Sequence, residues 1–284
     1  MLANFPPESV ILPSVPIPLC SFIVSVHATP TIGVNTMKFK AIATVVSLFL
    51  LSLAMPAGAA QTHVAVAANF AEPAREIATL FKKKTGHEAI LITGASGAFY
   101  TQITHGAPFE VFLSADDERP RLAVENGFAV PDSRFTYAIG KLVLWSRVKD
   151  VSDGEKVLRA GNFRRLSIAN PASAPYGRAA VETMQSLGVW NAIQPNVVQG
   201  SSIAQAFQFI DTRNAELGFV ALAQLYGVNR GTQWLVPEKL HAPIRQDAVL
   251  LKNGANNEAA RAFLAFLKQP EARAIIERFG YALE

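Results

Sequence analysis

Asn69 and Ser96 occupy matching places in two successive segments, VAVAANF (Val64–Phe70) and AILITGASGAF (Ala89–Phe99). In each, an apolar run ends in a small polar turn that opens a helical pattern. A helix start carries free backbone N–H groups and about half a positive charge, so it binds anions without a Lys or Arg. Two such starts side by side predict a site for a small oxyanion. For either residue alone, the competing reading is a plain helix cap or loop residue.

Two later segments have the same form. NPASAPYG (Asn170–Gly177) follows the apolar run Leu166–Ile168, and VVQGSSIAQAF (Val197–Phe207) carries its own strand into Ser201 and Ser202. The backbone N–H groups of Tyr176 and Ile203 are the expected donors there. The Tyr176 phenol is a further donor unless it is packed, and either serine can cap the second helix. None of the four turns holds Lys, Arg, His, Asp or Glu. A protonated anion such as hydrogen phosphate brings a donor that needs an acceptor, ordinarily a carboxylate. A site made of donors alone suits sulfate, molybdate or tungstate.

Other chemistry has weaker support. Asp116, Asp117 and Glu118 in SADDERP (Ser114–Pro120) read as the acidic first turn of a helix rather than a cation site. His63, His87, His105 and His241 are scattered. No GxSxG, P-loop or GxGxxG motif occurs, and GASGAF lacks the lysine of a P-loop. No enzyme, direct metal ligand or cofactor is predicted.

The elements that position these turns alternate. Strands are expected at Val64–Val66, Ala89–Ile92, Val111–Ser114, Leu142–Trp145, Leu166–Ile168, Asn196–Val198, Leu217–Val220 and Ala248–Leu251. Helices are expected at Pro73–Lys84, Phe99–His105, Glu118–Glu125, Lys156–Ala160, Arg178–Leu187, Ile203–Arg213, Glu258–Lys268 and Glu271–Phe279. This alternation predicts an α/β fold with mostly parallel sheets. The long run Phe135–Ser146, broken at Gly140, reads as a crossover between two lobes, and Ala242–Leu251 reads as the return. The expected lobes are residues 60–139 with 242–284, and 140–241. Ligands bind beyond strand C-termini in such sheets, which places all four turns around one interlobe cleft.

At the N-terminus, Met37 begins a secretory signal: Lys38 and Lys40, the apolar run Ala41–Met55, then PAGAA, with cleavage near Ala59 or Ala60. Residues 1–36, which contain the single Cys20, read as an upstream extension, so the exported chain is expected to lack cysteine. The formal net charge is +4, from 26 Lys plus Arg against 22 Asp plus Glu. No basic block marks a nucleic-acid surface.

VAVAANF, TGASGAFYTQI, GAPFEVFLSAD, NPASAPYG and ELGFVALAQL together resemble the periplasmic molybdate-binding proteins of ABC transporters, over Gln61–Glu284. The resemblance implies the two-lobed type II periplasmic binding protein fold, with a tetrahedral oxyanion, molybdate or tungstate, held in the cleft. It implies a monomer that delivers the anion to an inner-membrane permease. Carried over by position, Ala68 and Asn69, Ser96, Tyr176 and Ile203 are the oxyanion ligands. One departure stands out: many members have a tyrosine where this chain has Ala221. That suggests a variant pocket in which Asn69 and the Tyr176 phenol replace the missing hydroxyl. A sulfate or thiosulfate carrier is the alternative. A regulator's sensor domain would need a DNA-binding segment, and a hydrolase would need a nucleophile–base pair.

Overall fold

A computed structural model describes residues 58–284, which belong to one compact unit. The signal segment, the upstream extension and Cys20 lie outside the described residues.

Two five-stranded sheets organise the chain. The first contains β1 (Gln61–Ala67), β2 (Glu88–Gly94), β3 (Val111–Leu113), β4 (Phe135–Gly140) and β10 (Ile244–Leu250), in the order β2-β1-β3-β10-β4. The second contains β5 (Leu142–Ser146), β6 (Leu166–Ala169), β7 (Val197–Gly200), β8 (Leu217–Ala221) and β9 (Thr232–Leu235), in the order β7-β6-β8-β5-β9. The order is the same in both, with β10 and β5 in equivalent places.

Each of these two strands enters its sheet from the other half of the molecule and runs against its neighbours. β10 is antiparallel to β3 and β4, and β5 is antiparallel to β8 and β9. The remaining pairs are parallel. The sheets are therefore evenly mixed rather than mostly parallel. Strand–helix alternation reveals the parallel units but not the direction of a strand that crosses between lobes.

Local chemistry accounts for the helices. In α1 (Ala71–Thr85), the buried Ala74, Ile77 and Phe81 recur at helical spacing, and Lys82, Lys83 and Lys84 complement the negative end of the dipole. Gly86, in the left-handed conformation, stops the helix by donating its N–H to the Lys82 carbonyl at 3.0 Å. Phe81 packs edge-on against Phe263 of α8 (Glu258–Leu267), at a centroid distance of 5.2 Å. This contact ties the C-terminal helices α8 and α9 (Pro270–Arg278) to the first sheet. The remaining helices are α2 (Ser96–Thr104), α3 (Glu118–Glu125), α4 (Gly154–Ala160), α5 (Pro175–Ser186), α6 (Trp190–Ile193) and α7 (Ile203–Asp211). The short α6 and the strand β9, only half-buried, were not expected from the apolar patterning.

The run Phe135–Ser146 divides as its glycine suggested: β4 ends at Gly140 in one sheet and β5 begins at Leu142 in the other. Close approach makes the glycine necessary. A Cβ at residue 140 would sit 2.1 Å from the Tyr176 phenol oxygen and 2.7 Å from Gln246 Nε2. Gly140→Ala is therefore expected to force those groups apart and to destabilise the protein by about 1–3 kcal/mol, measured by urea denaturation. A midpoint equal to wild type would contradict the packing described.

Candidate anion-binding site

Parallel register brings the predicted turns together. Ala67 pairs with Gly94 and Val66 with Leu113, so the C-terminal ends of β1, β2 and β3 lie in one row. In the second sheet, Ala169 pairs with Gly200, which aligns the turns after β6 and β7. The two rows meet at one small cavity lined by Ala68, Asn69, Ser96, Tyr176 and Ile203. The rest of the lining is Gly94, Pro175 and the small side chains of Ala67, Ala95, Ala115 and Ala174, with no charged residue.

Helix starts supply the donors, and most are left without a side-chain cap. Ser96 is the first residue of α2, and the preceding Ala95 cannot cap it. Tyr176 is the second residue of α5, after Ala174 and Pro175. Ala68 and Asn69 open a single 3₁₀ turn ahead of α1, and the first N–H groups of such a turn have no partner within it. Of the starts around the cavity, only that of α7, at Ile203, has a capping side chain: Ser202 Oγ accepts from the Gln205 N–H at 3.4 Å. The Ser201 N–H is bound by Gln205 Oε1.

Ser96 and Asn69 therefore differ from the capping role that their positions also allowed. The Ser96 hydroxyl is buried and accepts the Ala115 N–H at 2.9 Å, so its own proton remains free to donate. The Asn69 side chain does not point its amide hydrogens at an anion. Nδ2 donates to Gln246 Oε1 at 2.7 Å and to the Tyr281 phenol at 3.1 Å. What Asn69 has left to offer the cavity is its backbone N–H.

These bonds belong to a buried polar network beneath the cavity. Gln246 on β10 is its hub: Oε1 accepts from Asn69 and Nε2 donates to the Tyr176 phenol at 3.2 Å. The Tyr137 phenol lies 3.1 Å from the same Oε1 and donates to the Ser114 carbonyl at 3.0 Å, while Tyr281 donates to the Asn69 carbonyl at 2.8 Å. The Tyr176 phenol is thus engaged by Gln246. Gln246, Tyr137 and Tyr281 carried no local sequence signal, because their partners are up to 212 residues distant. Ala221 closes β8, is fully buried, and is not in the cavity lining. Beside it, Gln224 accepts the Ala221 N–H at 3.0 Å and donates to the Ile203 carbonyl at 3.2 Å, tying the end of β8 to the start of α7.

Burial is the main cause that raises the Tyr137, Tyr176 and Tyr281 phenols above their ordinary value. All three remain neutral donors throughout the physiological range. Asp116, Asp117 and Glu118 lie at the mouth of the cleft, in the groove outside the cavity. Among the described residues, no group of three His, Cys, Asp or Glu is placed to hold a metal ion.

Residues 62–282 match the model of the bacterial extracellular solute-binding proteins. The chain is 54% identical over 235 residues to the molybdate-binding protein ModA of Rhodobacter capsulatus, covering 83% of this chain and 93% of the relative. It is 50% identical over 252 residues to ModA of Azotobacter vinelandii, covering 87% and 100%. The solved structure of the Azotobacter vinelandii periplasmic molybdate-binding protein superposes with a TM-score of 0.75 at 41% identity, covering 78% of this chain and 99% of that one.

An alkaline limit to stability follows from the phenols. An unfolded chain loses phenolic protons near the ordinary value of 10.0, whereas the native state keeps them. Raising the pH through and beyond 10 therefore favours unfolding. Urea midpoints between about pH 8 and pH 11 are expected to fall, and to fall less steeply in Tyr281→Phe. A flat profile would show that the phenols ionise alike in both states.

Proposed function

This chain belongs to the bacterial extracellular solute-binding proteins, and from that premise we propose that it captures molybdate in an interlobe cleft and delivers it to an ABC transporter. The carrying observation is the small cavity, free of charged side chains, where helix starts from both sheets converge. Backbone N–H groups of Ala68, Asn69, Tyr176 and Ile203 and the hydroxyl of Ser96 are the proposed oxyanion ligands. Charge-assisted bonds to such donors are roughly twice as strong as neutral ones, and the fold has already oriented them. Tungstate, with the same shape and charge, is bound by the same groups.

Sulfate is the alternative by donor chemistry alone, but the high-identity relatives favour molybdate. The proposed lobes are 60–139 with 242–284, and 140–241, a division supported by the membership of the two sheets; Gly140 itself closes β4. The protein is proposed to act in the periplasm as a monomer, exported by the signal that starts at Met37. Its partner is the transporter's inner-membrane permease, with no nucleic acid, no cofactor and no reaction of its own.

Calorimetric titration with molybdate, tungstate, sulfate and phosphate tests the reading. Molybdate and tungstate should bind tightly and phosphate should not. Tight phosphate binding, or no molybdate binding, would overturn it. Ser96→Ala is expected to weaken molybdate binding by about 1–3 kcal/mol, as loss of a buried donor to a charged acceptor does.

A further inference from the structure

The two walls of the cleft touch each other at points that line no part of the cavity. The Gly97 N–H, one residue past Ser96, donates to the Ser173 carbonyl in the turn before α5 at 2.8 Å. Arg119 Nη2 donates to the neighbouring Ala172 carbonyl at 3.1 Å, and its other terminal nitrogen is paired with Asp116. From the opposite wall, Arg178 of α5 donates to Glu118 at 3.1 Å and lies 3.5 Å from Asp116. The Asp116 carboxylate is buried and also accepts from the Ser114 hydroxyl and the Arg119 N–H.

These contacts are built on the segments that carry the site. Gly97 follows Ser96, Asp116 follows the Ala115 whose N–H holds the Ser96 oxygen, and Ser173 lies two residues before Pro175 in the lining. The fit at Gly97 is close. A Cβ there would lie 2.8 Å from Ser173 Cα and 2.9 Å from Arg119 Nη2. The glycine is not in a positive-φ conformation, so its small size, and not its backbone freedom, is what the position uses.

We propose that Gly97, Arg119 and Arg178, with Asp116, Glu118 and the Ala172–Ser173 carbonyls, form a cross-cleft latch that positions the second wall over the bound anion and sets how slowly it leaves. The latch residues do not recognise the anion. They hold in register the donors that do, so weakening the latch raises the dissociation rate of every bound oxyanion by the same factor. Electrostatic sensitivity resides in the latch as well, because the cavity has no charged side chain and Arg178 and Glu118 are half exposed. The inference rests on the proposed oxyanion-binding function.

Stopped-flow dissociation of molybdate and of tungstate from wild type, Gly97→Ala and Arg178→Gln is the test. Arg178→Gln, at a half-exposed position, should melt close to wild type, whereas Gly97→Ala crowds the Ser173 backbone and should melt somewhat lower. The dissociation rate of Gly97→Ala should rise on the order of tenfold, as expected of an overpacked contact. Arg178→Gln should raise the rate roughly two- to fivefold, the range for a partly exposed ion pair. Both variants should keep the wild-type ratio of molybdate to tungstate rates.

Raising sodium chloride from about 0.01 M to 1 M, which shortens the screening length from roughly 30 Å to 3 Å, should speed release from wild type and leave Arg178→Gln nearly unchanged. Unaltered dissociation in Gly97→Ala, or a changed ratio between the two anions, would overturn the latch. If wild type binds sulfate but not molybdate, the function reading fails, and the same measurements made with sulfate still decide the latch. Binding of none of these anions would overturn both.

Discussion

A dianion can be buried without a counter-charge only if neutral donors already point at the place it will occupy. That requirement governs this structure. Water is lost on binding, and each oxygen must regain its hydrogen bonds from groups that need no reorganisation. Backbone N–H groups at helix starts meet the requirement, because the helix itself cannot use them. Uncapped starts at Ser96 and Tyr176, the 3₁₀ turn at Ala68–Asn69 and the start of α7 at Ile203 are thus parts of one arrangement. A capping side chain at residue 174 would compete for the Tyr176 N–H, whereas the Ser202 cap of α7 takes the Gln205 N–H and leaves that of Ile203.

Holding two sheets so that their strand ends face one small cavity takes more than chain connectivity. The hub at Gln246 joins Asn69 of one wall to Tyr176 of the other through a single side-chain amide. Its neighbours Tyr137 and Tyr281 are buried and neutral, so the network adds rigidity without adding charge beside the anion. Gly140, where the chain passes between sheets, is small enough to let the Tyr176 phenol and the Gln246 amide meet. On the outer side, contacts around Gly97 and Arg178 complete the enclosure. Recognition and enclosure therefore rest on different residues.

Much of this was legible from local pattern. The strand–turn–helix form of VAVAANF, ITGASGAF, NPASAPYG and VVQGSSIAQAF placed Asn69, Ser96, Tyr176 and Ile203, the family resemblance added Ala68, and the structure brings all five to one cavity. What local pattern missed depends on long-range contact. Nothing near Gln246 indicates that its partners stand at positions 69 and 176, and so the side chain of Asn69 was read as a ligand when it is a brace. Strand β9 was missed because its four residues TQWL are only half-buried at a sheet edge, where apolar alternation is weak. Ala221 was visible as a departure from the pattern the family resemblance implies. That its backbone N–H is tied through Gln224 to the start of α7 required the fold.

The central claim is that the anion and everything that holds it are free of titratable protons at neutral pH. Calorimetric titration of molybdate at one pH, in two buffers of very different ionisation enthalpy, measures the protons exchanged on binding. The same heat in both buffers is predicted, since a fully ionised oxyanion meets only backbone N–H groups and a hydroxyl. A heat that changes with the buffer would reveal proton uptake or release, and would contradict a site made of neutral donors alone.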